Sequence, residues 1–237
     1  GIILKDSLLM HSSLHRNKYL RYLAIWPDDY EREANYPLVI MLHGFGANMQ
    51  DLMFLAPSIS TSGYIYLCPN APLSFNMGLG KVGFGWTPPR DEATTADLEE
   101  VDFRLSGFFD AMHDELNATP GETILLGFSQ RSAMAYRCGL PRPETFRGLV
   151  ALSASAHNPE DLRQTLPSQR KQPIFAAHGR FDRPESLERA QATQEFLRAE
   201  GYQPDYQEYD MGHEIPGVVL RDLAPWISKV LPPRPST

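Results

Sequence analysis

Residues 123–137 read TILLGFSQRSAMAYR, an apolar stretch followed by a serine-containing turn and a segment with helical character. The apolar part has the length and composition of a buried strand. A serine on a tight turn between a strand and a helix forms a nucleophile elbow, which exposes its hydroxyl above the sheet. Residues 127–130 supply four positions of the usual Gly-x-Ser-x-Gly pattern, whereas Arg131 stands at the second glycine position. The stretch therefore predicts a strand–turn–helix unit with Ser129 as a candidate nucleophile.

The rest of the chain alternates strand-like and helix-like segments. Short strand-like runs lie at residues 19–26, 38–42, 64–68, 149–152, 174–177 and 206–209, and helical patterns lie at 94–116, 184–200 and 218–231. Because most of these runs are apolar on both faces, they indicate a mostly parallel sheet covered by helices. Residues 69–90 read as one long loop, a class of segment that is often functional. We expect one α/β domain at residues 1–231 and a frayed proline-rich tail at 232–237.

Composition limits the classes of protein and partner. A chain of 237 residues with 42% hydrophobic residues can bury a substantial core. The net charge of −7 argues against nucleic-acid binding, which needs a basic face. We find no apolar run long enough for a transmembrane helix and no signal-peptide pattern, so we expect a cytoplasmic protein. Cys68 and Cys138 are expected to be buried free thiols.

Two polar residues follow predicted strands in the part of the chain after Ser129. Asp182 comes shortly after the run at 174–177, and His213 comes shortly after the run at 206–209. Ligands of doubly wound sheets bind beyond the carboxyl ends of strands, so these side chains are expected to meet there. The chain order is that of nucleophile, acid and base in α/β-hydrolases. In this hypothesis His213 accepts the Ser129 proton and Asp182 orients the imidazole.

A glycine-containing turn after an earlier strand is the candidate oxyanion hole. Residues 43–46 read His-Gly-Phe-Gly and directly follow the run at 38–42. Glycine allows backbone amides to come close to a ligand. We expect the amides of Phe45 and Gln130 to stabilise an oxyanion. The loss of one such donor typically costs on the order of 3 kcal/mol in the transition state.

The sequence gives little support for a metal site or for a phosphate-binding loop. The sequence has no His-Glu-x-x-His motif and no paired-cysteine motif, and His178, Asp182 and His213 are only a weak alternative set of metal ligands. Residues 78–83 contain three glycines but lack the Gly-Lys-Ser/Thr ending of a phosphate loop. We therefore expect no metal ion and no other cofactor.

Together these motifs resemble the phospholipase/carboxylesterase family of α/β-hydrolases, which includes acyl-protein thioesterases. The resemblance rests on residues 42–46, 69–72, 127–130, 178–182 and 212–213 and on the loop that ends at Trp86. It implies an α/β-hydrolase fold with a mostly parallel central sheet, flanking helices, no large cap domain and no cofactor. The site residues that it implies are the triad Ser129, Asp182 and His213, the oxyanion amides of Phe45 and Gln130, and Trp86 in the substrate groove.

Two positions depart from the family pattern. Arg131 replaces the glycine that lets the helix pack closely on a neighbouring strand, and overpacking of this kind typically costs about 1–3 kcal/mol. Either the fold accommodates Arg131 at the surface, or Arg131 alters the elbow and lowers or redirects activity. In addition, Arg183 and Pro184 follow Asp182 where more apolar residues are expected. Fewer residues of the family pattern therefore support Asp182 as the acid than support Ser129 as the nucleophile.

The combined pattern predicts a serine carboxylic-ester hydrolase that acts on small-molecule esters, or thioesters, of short to medium acyl groups through an acyl-enzyme. Apolar residues of the loop at 69–90 either line an acyl pocket or pack on the core. The alternatives are a binding protein that has lost turnover through Arg131 and a feruloyl-type aromatic esterase. A dienelactone-hydrolase-like enzyme is disfavoured because that group uses a cysteine nucleophile, and a peptidase because no further domain shapes a channel. A homodimer is an open alternative to a monomer.

Overall fold

Ten strands form a large sheet and a separate hairpin in the computed structural model, which describes residues 10–89, 91–129, 133–156 and 158–237. The strands are Ser12–Arg16 (β1), Arg21–Ile25 (β2), Leu38–Leu42 (β3), Ile65–Pro69 (β4), Leu73–Gly78 (β5), Lys81–Gly85 (β6), Thr123–Phe128 (β7), Gly148–Leu152 (β8), Ile174–Gly179 (β9) and Asp205–Tyr209 (β10). Strands β5 and β6 form the hairpin, and the other eight form the large sheet in the order β1-β2-β4-β3-β7-β8-β9-β10.

Parallel pairing dominates the large sheet. All neighbours from β4 to β10 are parallel, whereas β2 pairs antiparallel with both β1 and β4. The central strands β3, β4 and β8 are buried along their whole length, as expected for strands with a helix layer on each face. This arrangement confirms the predicted α/β architecture and brings the carboxyl ends of β3, β7, β9 and β10 to one edge of the sheet.

Helices cover both faces of the sheet. Their bounds are Leu55–Ile59 (α1), Thr95–Glu115 (α2), Met134–Gly139 (α3), Pro184–Ala199 (α4) and Gly217–Val230 (α5), and residues Pro159–Thr165 form a 3₁₀ helix. Apolar residues of α2, α3 and α4 pack in the core on one face, and those of α1 and α5 pack on the other. Helix α2 starts at a capping box in which Thr94 and Asp97 each bond the other's backbone amide, which satisfies two otherwise unpaired donors.

The structure corrects the sequence interpretation in three places. Residues 69–90 are not one loop, because the hairpin β5–β6 forms within them. Strand β1 was not predicted, since its sequence is mostly polar and its residues are exposed or half-buried. The tail is held rather than frayed: the Arg234 amide donates to the Gly63 carbonyl, and the guanidinium lies 5.0 Å from the Tyr36 ring centroid.

Cys68 and Cys138 are confirmed as buried free thiols, one in each of the two cores. Between consecutive strands of the large sheet, the described residues form flanking helices, a 3₁₀ helix, turns and the hairpin, without an additional cap domain. Among the described helices none is sufficiently long and apolar to span a bilayer.

Candidate active site

Ser129 lies directly after β7 in a strained backbone conformation. Its φ of 75° is in the left-handed region, which residues other than glycine adopt rarely and at a cost. The Ser129 amide donates to the Leu152 carbonyl at the end of β8, which fixes the turn against the sheet. Gly44 packs against the serine so closely that an added Cβ would lie 2.7 Å from the Ser129 Cβ. The left-handed turn and this close glycine are the local features expected of a nucleophile elbow.

The loops after β9 and β10 are joined by their backbones. The Phe181 amide donates to the Met211 carbonyl at 3.0 Å, and the Arg180 amide donates to the Tyr209 carbonyl at 2.8 Å. A Cβ on Gly179 would collide with the Met211 carbonyl oxygen, so only glycine allows this approach. The two loops therefore hold their side chains at a fixed separation.

These loops bring Asp182, His213 and Ser129 into one hydrogen-bonded chain. The Nδ1 atom of His213 lies 2.8 Å from Oδ2 of Asp182, and its Nε2 atom lies 3.1 Å from Oγ of Ser129. With the proton on Nδ1, the imidazole donates to the carboxylate and its Nε2 accepts from the serine hydroxyl. The His213 side chain is 38% exposed, so a substrate can reach the nucleophile and the imidazole from solvent. A chain of this form can transfer the serine proton as a general base requires.

Asp182 lies almost entirely buried beneath His213. Its side chain is 5% exposed, and its Oδ1 atom accepts from the Arg183 amide at 2.7 Å. Burial alone would raise the pKa of Asp182, but the hydrogen bonds from His213 and the Arg183 amide hold that pKa below its ordinary value. Arg183 immediately precedes α4, and Pro184 is the first residue of that helix. The residues that depart from the family pattern thus supply a donor to the carboxylate and a helix start.

A second histidine contacts the same carboxylate from inside the protein. His178, on β9, is fully buried, and its Nε2 atom lies 3.2 Å from Oδ2 of Asp182, at an angle outside that of a good hydrogen bond. Burial lowers the pKa of His178, although the neighbouring Asp182 charge opposes this effect. His178 therefore packs as a neutral imidazole against the back of the carboxylate.

Phe45 lies on the loop that carries Gly44 to the serine. Its ring centroid is 5.0 Å from that of Phe75 on β5, so the hairpin holds the side chain in place. The Gly46 amide donates to the Phe84 carbonyl on β6, and the Phe84 amide donates to the Ala47 carbonyl. The loop is thereby fixed beside Ser129. Gln130, the other expected oxyanion donor, and Arg131 lie outside the described residues.

His43 and Trp86 support this loop from the protein interior. The Ala71 amide donates to Nε2 of His43 at 3.0 Å, which places the proton on Nδ1, where it is donated to the Gly44 carbonyl. Burial lowers the pKa of His43 and keeps it neutral. The Trp86 indole donates to the His43 carbonyl at 2.9 Å, and the residue is only 3% exposed. The structure thus places Trp86 under the loop, where it stabilises the loop rather than facing solvent in a groove.

An apolar cavity of about 270 Å³ adjoins the triad. Its walls include Gly44, Phe128 and Ile215, together with His43, Ala47, Asp51, Leu52 and Phe54. The centroid of the Phe128 ring lies 5.1 Å from that of the His213 ring, which places the cavity beside His213. Sequence reasoning did not assign these residues to a pocket, because they come from three separate segments of the chain, although His43, Gly44 and Phe128 lie in the motifs at 42–46 and 127–130. In the described ranges no three His, Cys, Asp or Glu side chains are arranged to hold a metal ion.

Comparison with known proteins places this geometry in a family. The family model described as Phospholipase/Carboxylesterase matches residues 29–231. The acyl-protein thioesterase 1 of Aspergillus fumigatus is 27% identical over 220 residues, covering 82% of this chain and 88% of that protein. A probable carboxylesterase of Oryza sativa subsp. japonica is 27% identical over 209 residues, with the same two coverages of 82% and 88%.

A solved structure extends the similarity to three dimensions. The crystal structure of esterase PE8 superposes with a TM-score of 0.72 at 25% identity, covering 88% of this chain and 97% of the other. The fold and the motifs therefore agree with the match to the family model. The chain belongs to the phospholipase/carboxylesterase family of α/β-hydrolases.

Proposed function

We propose that this protein is a serine hydrolase that cleaves carboxylic esters or thioesters of short to medium acyl groups through an acyl-enzyme intermediate. The observation that carries the proposal is the position of His213, within hydrogen-bonding distance of both Asp182 and Ser129. The relatives named as acyl-protein thioesterase and carboxylesterase support the same reaction class. No step of this proposal requires a cofactor.

In the first half-reaction, Oγ of Ser129 attacks the carbonyl carbon of the substrate. The hydroxyl proton passes to Nε2 of His213, and Asp182 stabilises the imidazolium that forms. Backbone amides of Phe45 and Gln130 are proposed to donate to the tetrahedral oxyanion. When the intermediate collapses, the bond to the alcohol oxygen or thiol sulfur breaks, and the Nε2 proton moves to that leaving group.

In the second half-reaction, water takes the place of the leaving group. His213 accepts a proton from the water as its oxygen attacks the acyl carbon, and the same oxyanion donors stabilise the second tetrahedral intermediate. Collapse breaks the bond to Ser129, whose Oγ regains the proton from Nε2. The products are the free acid and the unchanged enzyme.

The apolar cavity beside Phe128 and Ile215 is the proposed site of the acyl chain. Its volume of about 270 Å³ lies below the roughly 300–1,000 Å³ of common small-molecule sites, which favours a short chain. We therefore expect kcat/KM to be highest for short straight acyl chains within a panel of p-nitrophenyl esters and matched thioesters.

The direct test is Ser129→Ala. We expect it to abolish hydrolysis of a short-chain p-nitrophenyl ester and labelling by a fluorophosphonate probe, because no nucleophile remains, while circular dichroism stays that of the intact fold. A surface serine such as Ser58 provides the matched Ser58→Ala control, which should keep both signals. Full activity of Ser129→Ala would contradict the proposal, and failure of the intact protein to react with the probe would favour a binding protein without turnover.

A further inference from the structure

His178 is a buried titratable side chain beside the triad that the proposed mechanism does not use. It lies near the carboxyl end of β9, four residues before Asp182, and it is fully buried. Ile174 and Ala176 of the same strand belong to the core that α2, α3 and α4 cover. Because side chains alternate along a strand, His178 lies on the same face of the sheet. It therefore approaches Asp182 from the protein interior, whereas His213 lies on the side that is open to solvent.

The Oδ2 atom of Asp182 lies between two imidazoles. Nδ1 of His213 is 2.8 Å from this oxygen, and Nε2 of His178 is 3.2 Å from it. The contact with His213 is a hydrogen bond. The contact with His178 has the distance of a hydrogen bond but not its angle, and neither ring nitrogen of His178 has a hydrogen-bond partner among the described residues. The interior contact is therefore electrostatic and leaves the hydrogen bond of Oδ2 to His213.

A fully buried imidazole without a good hydrogen bond is costly, because its ring nitrogens lose their contacts with water. An apolar side chain of similar shape would fill this volume without that cost. What the imidazole of His178 adds is an N–H dipole 3.2 Å from the carboxylate of Asp182, which is itself only 5% exposed. Electrostatic contacts of this kind are stronger in the protein interior than in water. The N–H group is thus the favourable feature of His178 at this position.

The charges around His178 determine which ring nitrogen carries its proton. With the proton on Nε2, the positive end of the N–H dipole faces the Asp182 carboxylate; with the proton on Nδ1, a lone pair would face that negative oxygen. Glu208 lies opposite His178 in the β9–β10 register, and its carboxylate accepts from Gln191 and Tyr206. Burial lowers the pKa of His178 more than these two carboxylates raise it. The ring is therefore neutral, with its proton on Nε2.

We propose that His178 is a positioning residue of the triad, whose Nε2–H group holds the Asp182 carboxylate from the interior in the orientation that bonds His213. This inference rests on the proposed function, because it assigns a role within the same site. The terminal torsion of an aspartate is broad, so its carboxylate needs contacts to fix it. The Arg183 amide bonds Oδ1, and His178 bounds the interior side of Oδ2. These two contacts together favour the orientation in which Oδ2 meets Nδ1 of His213.

The kinetic test compares two amides of different reach at position 178. In His178→Gln the amide nitrogen can take the place of Nε2 and donate to Asp182, whereas in His178→Asn it lies near the place of Nδ1 and is too short to do so. We expect His178→Gln to keep kcat for a short-chain p-nitrophenyl ester within about threefold of the wild type, and His178→Asn to lower it at least tenfold. KM should change less than about twofold in both variants, because His178 is buried and does not touch substrate.

His113→Asn is the matched control for the loss of a histidine from the fold. His113 is half-buried on α2 and its Nε2 lies 2.9 Å from Oγ1 of Thr123, at the opposite end of β7 from Ser129. This variant should keep the wild-type kcat. Equal kcat in His178→Gln and His178→Asn, or a loss of kcat/KM carried by KM alone, would show that His178 only fills space.

The nitrogen NMR shifts of ¹⁵N-labelled histidine report the tautomer of each ring and do not depend on turnover. In the wild type we expect the proton on Nε2 of His178 and on Nδ1 of His213. His213 should keep this tautomer in His178→Gln and become a mixture of both tautomers in His178→Asn. Each ring is assigned from the signal that is missing in His178→Gln or His213→Gln. A proton on Nδ1 of His178, or an unchanged His213 tautomer in His178→Asn, would overturn the proposal.

The Ser129→Ala variant separates this inference from the proposed function. If Ser129→Ala retains hydrolysis while the tautomers are as expected, the proposed function fails and His178 still positions Asp182 against His213. If Ser129→Ala abolishes hydrolysis but His178→Asn behaves as His178→Gln does, the serine hydrolase stands and the role of His178 fails. Should His178→Asn not fold, the wild-type tautomer of His178 and the kcat of His178→Gln decide, since a tenfold loss in His178→Gln also contradicts the proposal.

Discussion

Asp182 is held by more contacts than a surface carboxylate would be. It bonds His213 and the Arg183 amide, and the neutral imidazole of His178 closes its buried side. Such a carboxylate fixes the tautomer in which Nε2 of His213 can accept the serine proton. The departure from the family pattern at Arg183 and Pro184 leaves this contact in place, because only the backbone of Arg183 takes part in it.

We predict that Asp182→Asn lowers kcat for a p-nitrophenyl ester by on the order of 10⁴, since the amide favours the wrong imidazole tautomer. The expected change in KM is small, because the carboxylate does not touch substrate. Asp210→Asn is the matched control: Asp210 lies three residues from His213, pairs with Arg180 at the surface and should have little effect. Equal activity of the two variants would show that another acid orients His213.

The Asp182 carboxylate also makes the free energy of unfolding depend on pH. Its pKa in the folded protein lies below its ordinary value, so the unfolded chain takes up the proton first as the pH falls. The stabilisation from this group is therefore complete above about pH 3.9, the ordinary Asp value, and is lost as the pH falls through the folded pKa. We predict that urea unfolding of Asp182→Asn depends less on pH below about 4 than that of the wild type. Parallel pH dependences for the two proteins would contradict this assignment.

At the scale of elements, the hairpin β5–β6 supports the loop beside Ser129. The Gly46 amide bonds the Phe84 carbonyl, and Met77 packs so close to Gly46 that an added Cβ there would lie 2.7 Å from the Met77 methyl. Gly83 on β6 also lies directly against Gly46, since a Cβ added to Gly83 would collide with the Gly46 carbonyl oxygen. The position of Phe45 thus depends on two glycines in contact.

We predict that Gly83→Ala separates the hairpin from the loop and lowers kcat at least tenfold, because it displaces the Phe45 amide, the proposed oxyanion donor. The global fold should persist, since the hairpin lies outside the large sheet. Gly217→Ala adds the same methyl at an open position on α5 and serves as the matched control. Steady-state kinetics on a short-chain ester, with the unfolding midpoint of each variant, would decide the matter. A lower midpoint with unchanged kcat would mean that the hairpin contributes stability alone.

Elements of the fold differ in how well the sequence predicts them. The buried strands are readable because layers on both faces force continuous apolar runs, as in β3 and β8. The hairpin was missed because four glycines and mostly exposed side chains at residues 73–85 remove the alternation that marks a strand. Strand β1 was missed for a related reason, since an edge strand that faces solvent needs no apolar face.

At the scale of the whole molecule, topology explains why the triad was predicted and the cavities were not. Ser129, Asp182 and His213 each follow a strand of one parallel sheet, so chain order alone predicts that they meet. A cavity of about 430 Å³ beside the β1–β2 turn depends instead on that turn between antiparallel strands and on Arg104 from α2, which lie far apart in sequence. Contacts of that kind follow from packing and leave no sequence motif.

Two buried neutral histidines, His43 near Ser129 and His178 beside Asp182, make the stability of the whole fold depend on pH. Burial lowers the pKa of His43 and of His178, so as the pH falls through about 6.5 the unfolded chain binds protons that the folded chain does not. Stability from each group is complete above that pH and is lost below it, by at most about 1.4 kcal/mol per pH unit. We predict that the free energy of unfolding in urea falls between about pH 7 and pH 5, and that His43→Gln and His178→Gln each flatten this dependence whatever their effect at neutral pH. The exposed His11 provides the control His11→Gln, which should keep the wild-type slope. An unchanged slope in both buried-site variants would show that other groups govern acid unfolding.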